Sequence, residues 1–494
     1  MAGSSLQVVL VLCLLALSSS SCLASRLSQG GQQQQGQFGI SQGECNLQNL
    51  SPQEPIHTLK HEAGFTEIWD QNNEQLRCAG VSALRHVIQP QGLLLPSFNN
   101  APVIVFVIQG NGVLGTMFPG CPETFQSFQQ SEQGGKGKGG QGQGGQSQKF
   151  GDQHQKIHQF YRGDVIALPV GVAHWAYNEG NEDVVLVVIH DISNFENQLD
   201  PNLRRFFLAG NPQQQQQQEG SWQAGQQQQQ QQHQLHQGYN IFRAFDVQIL
   251  SWAFGINQET AKKLQNENDW RGNIVRVKNK LRLLRPSGQE EQEQTGWSSN
   301  GFEETICTMR IKENLANPER ADIYTARGGT ISTLNSLNLP ILKYLQLSAG
   351  RGNLRPKAMV APHWGLNSHS ISYIASGNGR VQIVGTSQKA VYDGEVRKGQ
   401  LLIIPQNFAH VKIAGNEGLE WFTVKTNDRA KTSALVGKTS VLRALPEDVL
   451  INAYLLSREE ARSVKYNREE VTILSPQFES QSESQQGKTP WSVV

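Results

Sequence analysis

Charge, methionine and long apolar runs are all scarce in this chain. Charged residues make up 17% of 494 and balance to a formal +1, which gives no bulk attraction for a nucleic-acid backbone or an anionic membrane. Four methionines make sulfur a minor constituent. Beyond the first residues no stretch reaches the roughly 18 consecutive apolar residues that a membrane helix needs, so a soluble mature protein is expected. No Gly-X-Ser-X-Gly elbow between a strand and a helix and no phosphate loop is read here, and the glycine-rich stretches are flanked by polar repeats instead of by a strand and a helix. Asn49-Leu50-Ser51 is a formal glycosylation sequon, but Pro52 follows it and no glycan is expected.

An export signal opens the sequence. An uncharged start leads into an apolar run over residues 6–17, then serine-rich sequence and small residues at Ala24 and Ser25, where cleavage is expected. Cys13 and Cys22 would leave with it. The remaining Cys45, Cys78, Cys121 and Cys307 permit three pairings in an exported protein, or four buried thiols, and their spacing matches no zinc motif.

What is abundant is internal repetition. Residues 90–265 and 355–465 carry the same landmarks in the same order. A β-branched and aromatic run ends in Gly-Asn-Gly at 110–112 and again at 377–379, which reads as a strand entering a tight hairpin turn. "GDVIALPVGVAHWAYN" from Gly163 faces "GQLLIIPQNFAHVKIA" from Gly399, and "FRAF" at 242–245 faces "LRAL" at 442–445. The first copy holds two surpluses, of 31 and 27 residues, which coincide with "GGKGKGGQGQGGQ" and with the glutamine runs at 213–218 and 226–232. Such segments bury too little apolar surface to offset chain entropy and are expected to be disordered loops.

Short alternating strands between Gly, Asn and Pro turns predict a mainly β fold: two jelly-roll barrels, each followed by a small helical segment. In the second copy Pro446 opens one helix, and Ser457 with Glu460 forms a capping box for the next; Asp246 to Trp252 and Gln258 to Leu264 take those places in the first. The apolar stripes of these helices pack either on their own barrel or on a neighbouring subunit.

Gly163, Pro169, Gly171, His174 and Asn178 have the spacing of the second cupin motif, and with the duplication they resemble the bicupin family of plant seed globulins. In metal-dependent cupins that histidine is one of four ligands, beside a His-X-His pair and a glutamate. Here "LPSFNNAPVIV" at 95–105 contains neither histidine nor carboxylate. The second copy keeps His363 and His410 with His369 nearby, but places Gly365 and Ser370 at partner positions, Asn407 for Gly and Ala414 for Asn. These histidines read as motif relics in the barrel mouth, with no metal or other cofactor.

Two further features sharpen the resemblance. Residues 301–494 carry 23 Lys and Arg against 18 Asp and Glu, whereas residues 1–300 carry 20 against 24, and the boundary falls in a polar acidic tract that meets Asn300-Gly301. An exposed strip of that kind is where proteases cut, although Asn-Gly also signals a hairpin turn. With "NGFEETICTMR", "GCPETFQ", "ECNLQNL", "RCAGVSALRH" and "PHWGLNSHSISY", nearly the whole mature chain resembles a legumin-type 11S seed storage globulin.

That resemblance implies cleavage between Asn300 and Gly301 by a vacuolar asparaginyl endopeptidase. It implies a Cys45–Cys78 bond within the acidic chain and a Cys121–Cys307 bond joining acidic to basic chain. It also implies trimers that stack into hexamers, delivery to the seed protein storage vacuole, a nutrient-reservoir role for nitrogen, and allergenic potential. The resulting organisation is a signal peptide at 1–24, an acidic chain at 25–300 with a barrel core near 45–265, a linker at 265–300, and a basic chain at 301–494 with a core near 310–475. Neither nucleic acid nor membrane is an expected partner. Two other functions remain open: a germin-like metal-dependent oxidase, opposed by the missing ligands, and a bicupin that binds a sugar or small apolar ligand in a barrel lined by Trp175 and Trp364.

Overall fold

A computed structural model describes residues 45, 47–123, 125–128, 150–211, 240–281, 283 and 306–476, all within one compact unit, Ile40–Val494. Ala24, Ser25, the glutamine tracts and Asn300-Gly301 lie outside the described residues. The described chain is mainly β and forms two jelly-roll barrels, each followed by short helices.

In the first barrel, one sheet runs in the order His57–His61, Gly64–Ile68, Val81–Ile88, Val184–Asp191, Val103–Gln109, Asp164–Leu168. The facing sheet runs Arg205–Phe207, Gly92–Asn99, Ala173–Asn178, Asn111–Met117, Ile157–Tyr161. All neighbours are antiparallel, for instance Val81–Ile88 with Val184–Asp191, where Leu84 lies opposite Val188 and His86 opposite Leu186. In the second barrel the two layers merge into a single sheet because Ser370–Val384 and Ala409–Lys425 are long enough to pass through both.

The Gly-Asn-Gly segments are not hairpins. Val103–Gln109 pairs with Asp164–Leu168 and Val184–Asp191, whereas Asn111–Met117 pairs with Ala173–Asn178 and Ile157–Tyr161. Gly110 therefore carries the chain from one sheet to the other, at φ +81°, and Gly377 does the same inside its long strand at φ +72° with a register shift beside it. Both need a left-handed backbone that a side chain resists. A Cβ on Gly377 would also meet the Gly418 carbonyl oxygen at 2.1 Å.

The strands Val81–Ile88 and Val103–Gln109 are buried almost throughout because both of their faces are covered. One face lines the first barrel and the other packs on the second. Phe106 meets Phe422 with ring centroids 5.0 Å apart, Trp69 meets Tyr373 edge-on, and the Arg85 guanidinium donates to the Tyr373 hydroxyl at 2.9 Å. Aromatic pairs in such an interface contribute about 1 kcal/mol each beyond the area they bury.

Segments also cross between the barrels. Lys312–Asn314 extends the first barrel's sheet beside Asp164–Leu168. In return, Leu50 enters the second barrel's core and donates its N–H to the Val391 carbonyl, and Gln53 bridges Leu401. Each half of the chain supplies a piece of the other's barrel.

Helices follow each barrel where their caps dictate. Asp246 caps Val247–Phe254, which ends at left-handed Gly255, and Asn257 caps Gln258–Gln265. Ser457 and Glu460 form the capping box of Arg458–Tyr466, which follows Glu447–Tyr454. Capping of this kind is worth about 1 kcal/mol per helix end. Ile249, Trp252 and Phe254 on the first pair, and Val449, Tyr454 and Leu455 on the second, stand exposed. No helix among the described residues is long and apolar enough to cross a membrane.

Candidate functional site

The motif residues of the first copy sit at one end of its barrel. Asp164–Leu168 leads to Pro169, and Gly171 turns the chain at φ +73° so that Ala173–Asn178 crosses the facing sheet. In the second copy Asn407 makes the same turn at φ +65°, which asparagine tolerates better than other side chains. Asn178 is a structural residue: its amide donates to the carbonyls of Ile88 and Glu182 at 2.7 and 2.8 Å and accepts from Gly180 N–H at 2.9 Å.

Strand parity decides what faces inward. His174 and Ala176 line the first barrel's cavity. Trp175 lies between them on the opposite face and packs with Val113, Ile157 and Tyr177 outside it. Trp364 pairs with Ala409, one residue out of phase with the inward pair His363 and His410. The expected tryptophan lining is absent from both barrels, because each tryptophan follows an inward histidine.

Residues that sequence motifs did not mark complete the first cavity. His86, His190 and Arg205 join His174 in its wall, with Ser97 and Asn99 beside them, and the remainder is aliphatic and aromatic. The signal that could have found the two histidines is alternation, since Ser82, Leu84, His86 and Leu186, Val188, His190 each share one face of a strand. Nothing local marks Arg205, whose place comes from the pairing of Arg205 with Asn99.

Burial holds these imidazoles neutral. Desolvation, with Arg205 adding repulsion, pushes His190 down to about 3 and His86 well below its ordinary value. Desolvation also lowers His174. Hydrogen bonds fix tautomers. Asn273 N–H donates to His61 Nδ1 at 3.4 Å, so His61 Nε2–H donates to the Thr66 hydroxyl at 2.9 Å, and that hydroxyl donates to His86 Nδ1 at 2.8 Å. His86 is left with a free Nε2–H. His174 is the reverse, because its Nδ1–H donates to the Val172 carbonyl at 3.1 Å and its Nε2 stays bare.

The second interior differs. His363 and His410 are cross-strand neighbours with ring centroids 4.1 Å apart. Burial, then Lys412, lowers His363 to about 4. Lys412 is buried with its ammonium 5.4 Å from the Trp421 ring centre, and desolvation lowers it to about 7. His369 turns away, its Nδ1 accepting from Gln406 N–H at 3.2 Å.

These residues do not fit the metal that the cupin motif serves elsewhere. Neither set includes a carboxylate, each includes a cation, and among the described residues no three His, Cys, Asp or Glu group to hold an ion. Outside the two sets of inward histidines, Cys45 is bonded to Cys78 with Cα atoms 5.7 Å apart, and Cys121 to Cys307 at 5.4 Å.

Comparison with known proteins matches the cupin family model to residues 48–214 and 313–462. The chain is 50% identical to the 11S globulin seed storage protein Ana o 2.0101 of Anacardium occidentale, over 92% of this chain and 95% of that protein. It is 48% identical to Cocosin 1 of Cocos nucifera, over 98% and 100% respectively. Among solved structures, an 11S globulin from Wrightia tinctoria, described as revealing an auxin binding site, superposes with a TM-score of 0.76 at 55% identity, covering 88% of this chain and 98% of that one.

Proposed function

The chain belongs to the cupin family and, within it, to the 11S seed storage globulins, and from that premise we propose that it is a nutrient reservoir for nitrogen and amino acids instead of an enzyme. The observation that carries this reading is the match over both barrels and nearly the full length to proteins named for storage. Composition supports it, because the glutamine tracts at 213–218 and 226–232 are nitrogen-rich additions to a framework that does not need them.

Processing and assembly belong to the same proposal. Cleavage between Asn300 and Gly301 by an asparaginyl endopeptidase yields an acidic and a basic chain, with Cys121–Cys307 the covalent link between them. The position of Cys307 a few residues beyond Gly301 supports this, since the bond restores the connection that hydrolysis removes. Trimers then form through the exposed helix faces at Trp252, Phe254 and Leu455, because apolar side chains grouped on a helix mark a contact surface. Hexamers form from the processed trimers, and the protein accumulates in the storage vacuole of the seed.

The test of storage is turnover in the tissue. Quantitative immunoblots through seed maturation and germination are expected to show accumulation to a major fraction of total protein and then rapid loss. A low, constant level through both stages contradicts the reading.

A further inference from the structure

We propose that the first barrel is a receptor for a small monovalent carboxylate, which takes two hydrogen bonds from the Arg205 guanidinium and rests its short alkyl end on the aliphatic wall. The proposal rests on an unpaired cation facing a cavity, and it holds whether or not the chain is cut at Asn300.

The Arg205 guanidinium has no hydrogen bond and no ion pair among the described residues; its one contact of note is the Phe207 ring, 5.0 Å away. Its half-buried side chain is desolvated enough to bring its pKa down to about 10. No acidic residue lines the cavity. A guanidinium left in that state is costly, and an anion that pairs with it offsets the cost.

The groups around it complete a binding wall. Asn99, directly opposite Arg205 in the strand pair, is buried, and its side-chain oxygen has no partner. His190 is buried with an unpartnered Nδ1. His86 offers the Nε2–H left free by the His61–Thr66 chain. The unpartnered Asn99 amide oxygen and His190 Nδ1 are an uncommon condition in folded proteins, and a carboxylate, which only accepts, relieves it when His190 carries its proton on Nδ1 and Asn99 turns its NH2 group to the cavity.

Size and lining select the ligand class. The cavity holds about 30 Å³, where one water needs roughly 10–15 Å³, so the guest has only a few heavy atoms, as in formate or acetate. A divalent oxyanion would leave one charge unpaired. Leu84, Val105 and Val188 across the cavity suit a methyl group and give nothing to a hydrated halide.

The experiment uses the full chain, purified in a buffer free of carboxylates. Carbon-13 acetate is titrated and followed by relaxation of its NMR signal, with sodium chloride added to hold ionic strength constant. Saturable binding at millimolar acetate or below is expected, weakened about tenfold or more in Arg205→Gln and about threefold or more in Arg205→Lys, which keeps the charge but loses the planar fork. Arg397→Gln, exposed on the other barrel, leaves it unchanged. Wild-type protein that shows no saturable binding up to about 100 mM acetate overturns the proposal. So does displacement of acetate by an equal concentration of chloride. If Arg205→Gln does not fold, Arg205→Lys decides, and an unchanged affinity in that variant places the acetate elsewhere and overturns the assignment.

Discussion

The two barrels descend from one repeat yet have solved the same interior problem differently. In the first, two separate sheets enclose a cavity whose wall holds three imidazoles and the Arg205 guanidinium. In the second, long continuous strands merge the sheets, His363 and His410 pack against each other with their rings tilted by 53°, and Lys412 lies over Trp421. Among the described residues neither interior groups the carboxylate and histidine pair that would anchor a metal, and each is left with a cation that has no acidic partner. What the copies share is the framework: the sheet-crossing glycine, the left-handed turn before the inward histidine, and the strand faces that meet between barrels. Packing demands preserved that framework, while interior chemistry was free to drift.

The framework should therefore break hardest where backbone passes closest. Gly377→Ala forces a Cβ against the Gly418 carbonyl at φ +72°, and a loss of about 3 kcal/mol is expected in chemical denaturation. The contrasting change in the first barrel, Gly171→Ala, meets nothing within 4 Å and should cost only about 1 kcal/mol, for its φ alone. Equal losses at the two sites would remove close approach as the explanation.

The joint between the barrels comes next. Phe106→Ala removes one ring of the pair with Phe422 and is expected to cost about 3 kcal/mol, read as a lower midpoint without loss of cooperativity. Two separated transitions in the variant would show that the barrels fold independently and that the shared core does not couple them.

The drifted cations should show in the pH dependence of stability. Lys412 drops from 10.5 to about 7 in the folded state, so between those values the unfolded chain binds more protons and stability rises with pH; below about 7 the whole penalty is present. Lys412→Met should stabilise the protein by about 2 kcal/mol near neutrality and flatten that rise. Histidine acts at lower pH. His363 and His190 fall from 6.5 to about 4 and about 3, so stability is lost as pH drops from 6.5 towards those values, and His190→Gln should lessen the loss. A profile of Lys412→Met parallel to wild type from pH 7 to 10 would refute the assignment to Lys412.

The smallest expected effect concerns the exchanged segments. Because Lys312–Asn314 pairs in the first barrel and Leu50 is buried in the second, cleaved protein treated with reductant but no denaturant should elute at an unchanged volume. Separation of the chains under those conditions would mean that the disulfide alone holds them.

Much of this architecture was legible in the sequence because it is written locally. Alternating strands, Gly163 to Asn178, and the Asp246 and Ser457 caps all carry their instructions within a few residues. Gly-Asn-Gly misled because its glycine does set a sharp bend, but whether a bend joins paired strands or different sheets depends on distant partners. His174 was found and its neighbour Trp175 misplaced, since adjacent strand residues face opposite ways and the motif alone does not say which faces in. Arg205, His86 and His190 were not seen as a group because three strands far apart in sequence bring them together. The exchange of segments between barrels is likewise a product of long-range pairing.

The measurement that bears most directly on the account is a denaturing gel of protein from mature seed, run with and without reductant, with N-terminal sequencing of any released fragment. The account predicts one band near full mature size that reductant splits into a larger acidic chain and a smaller basic chain beginning at Gly301. A single uncut chain under both conditions would contradict it.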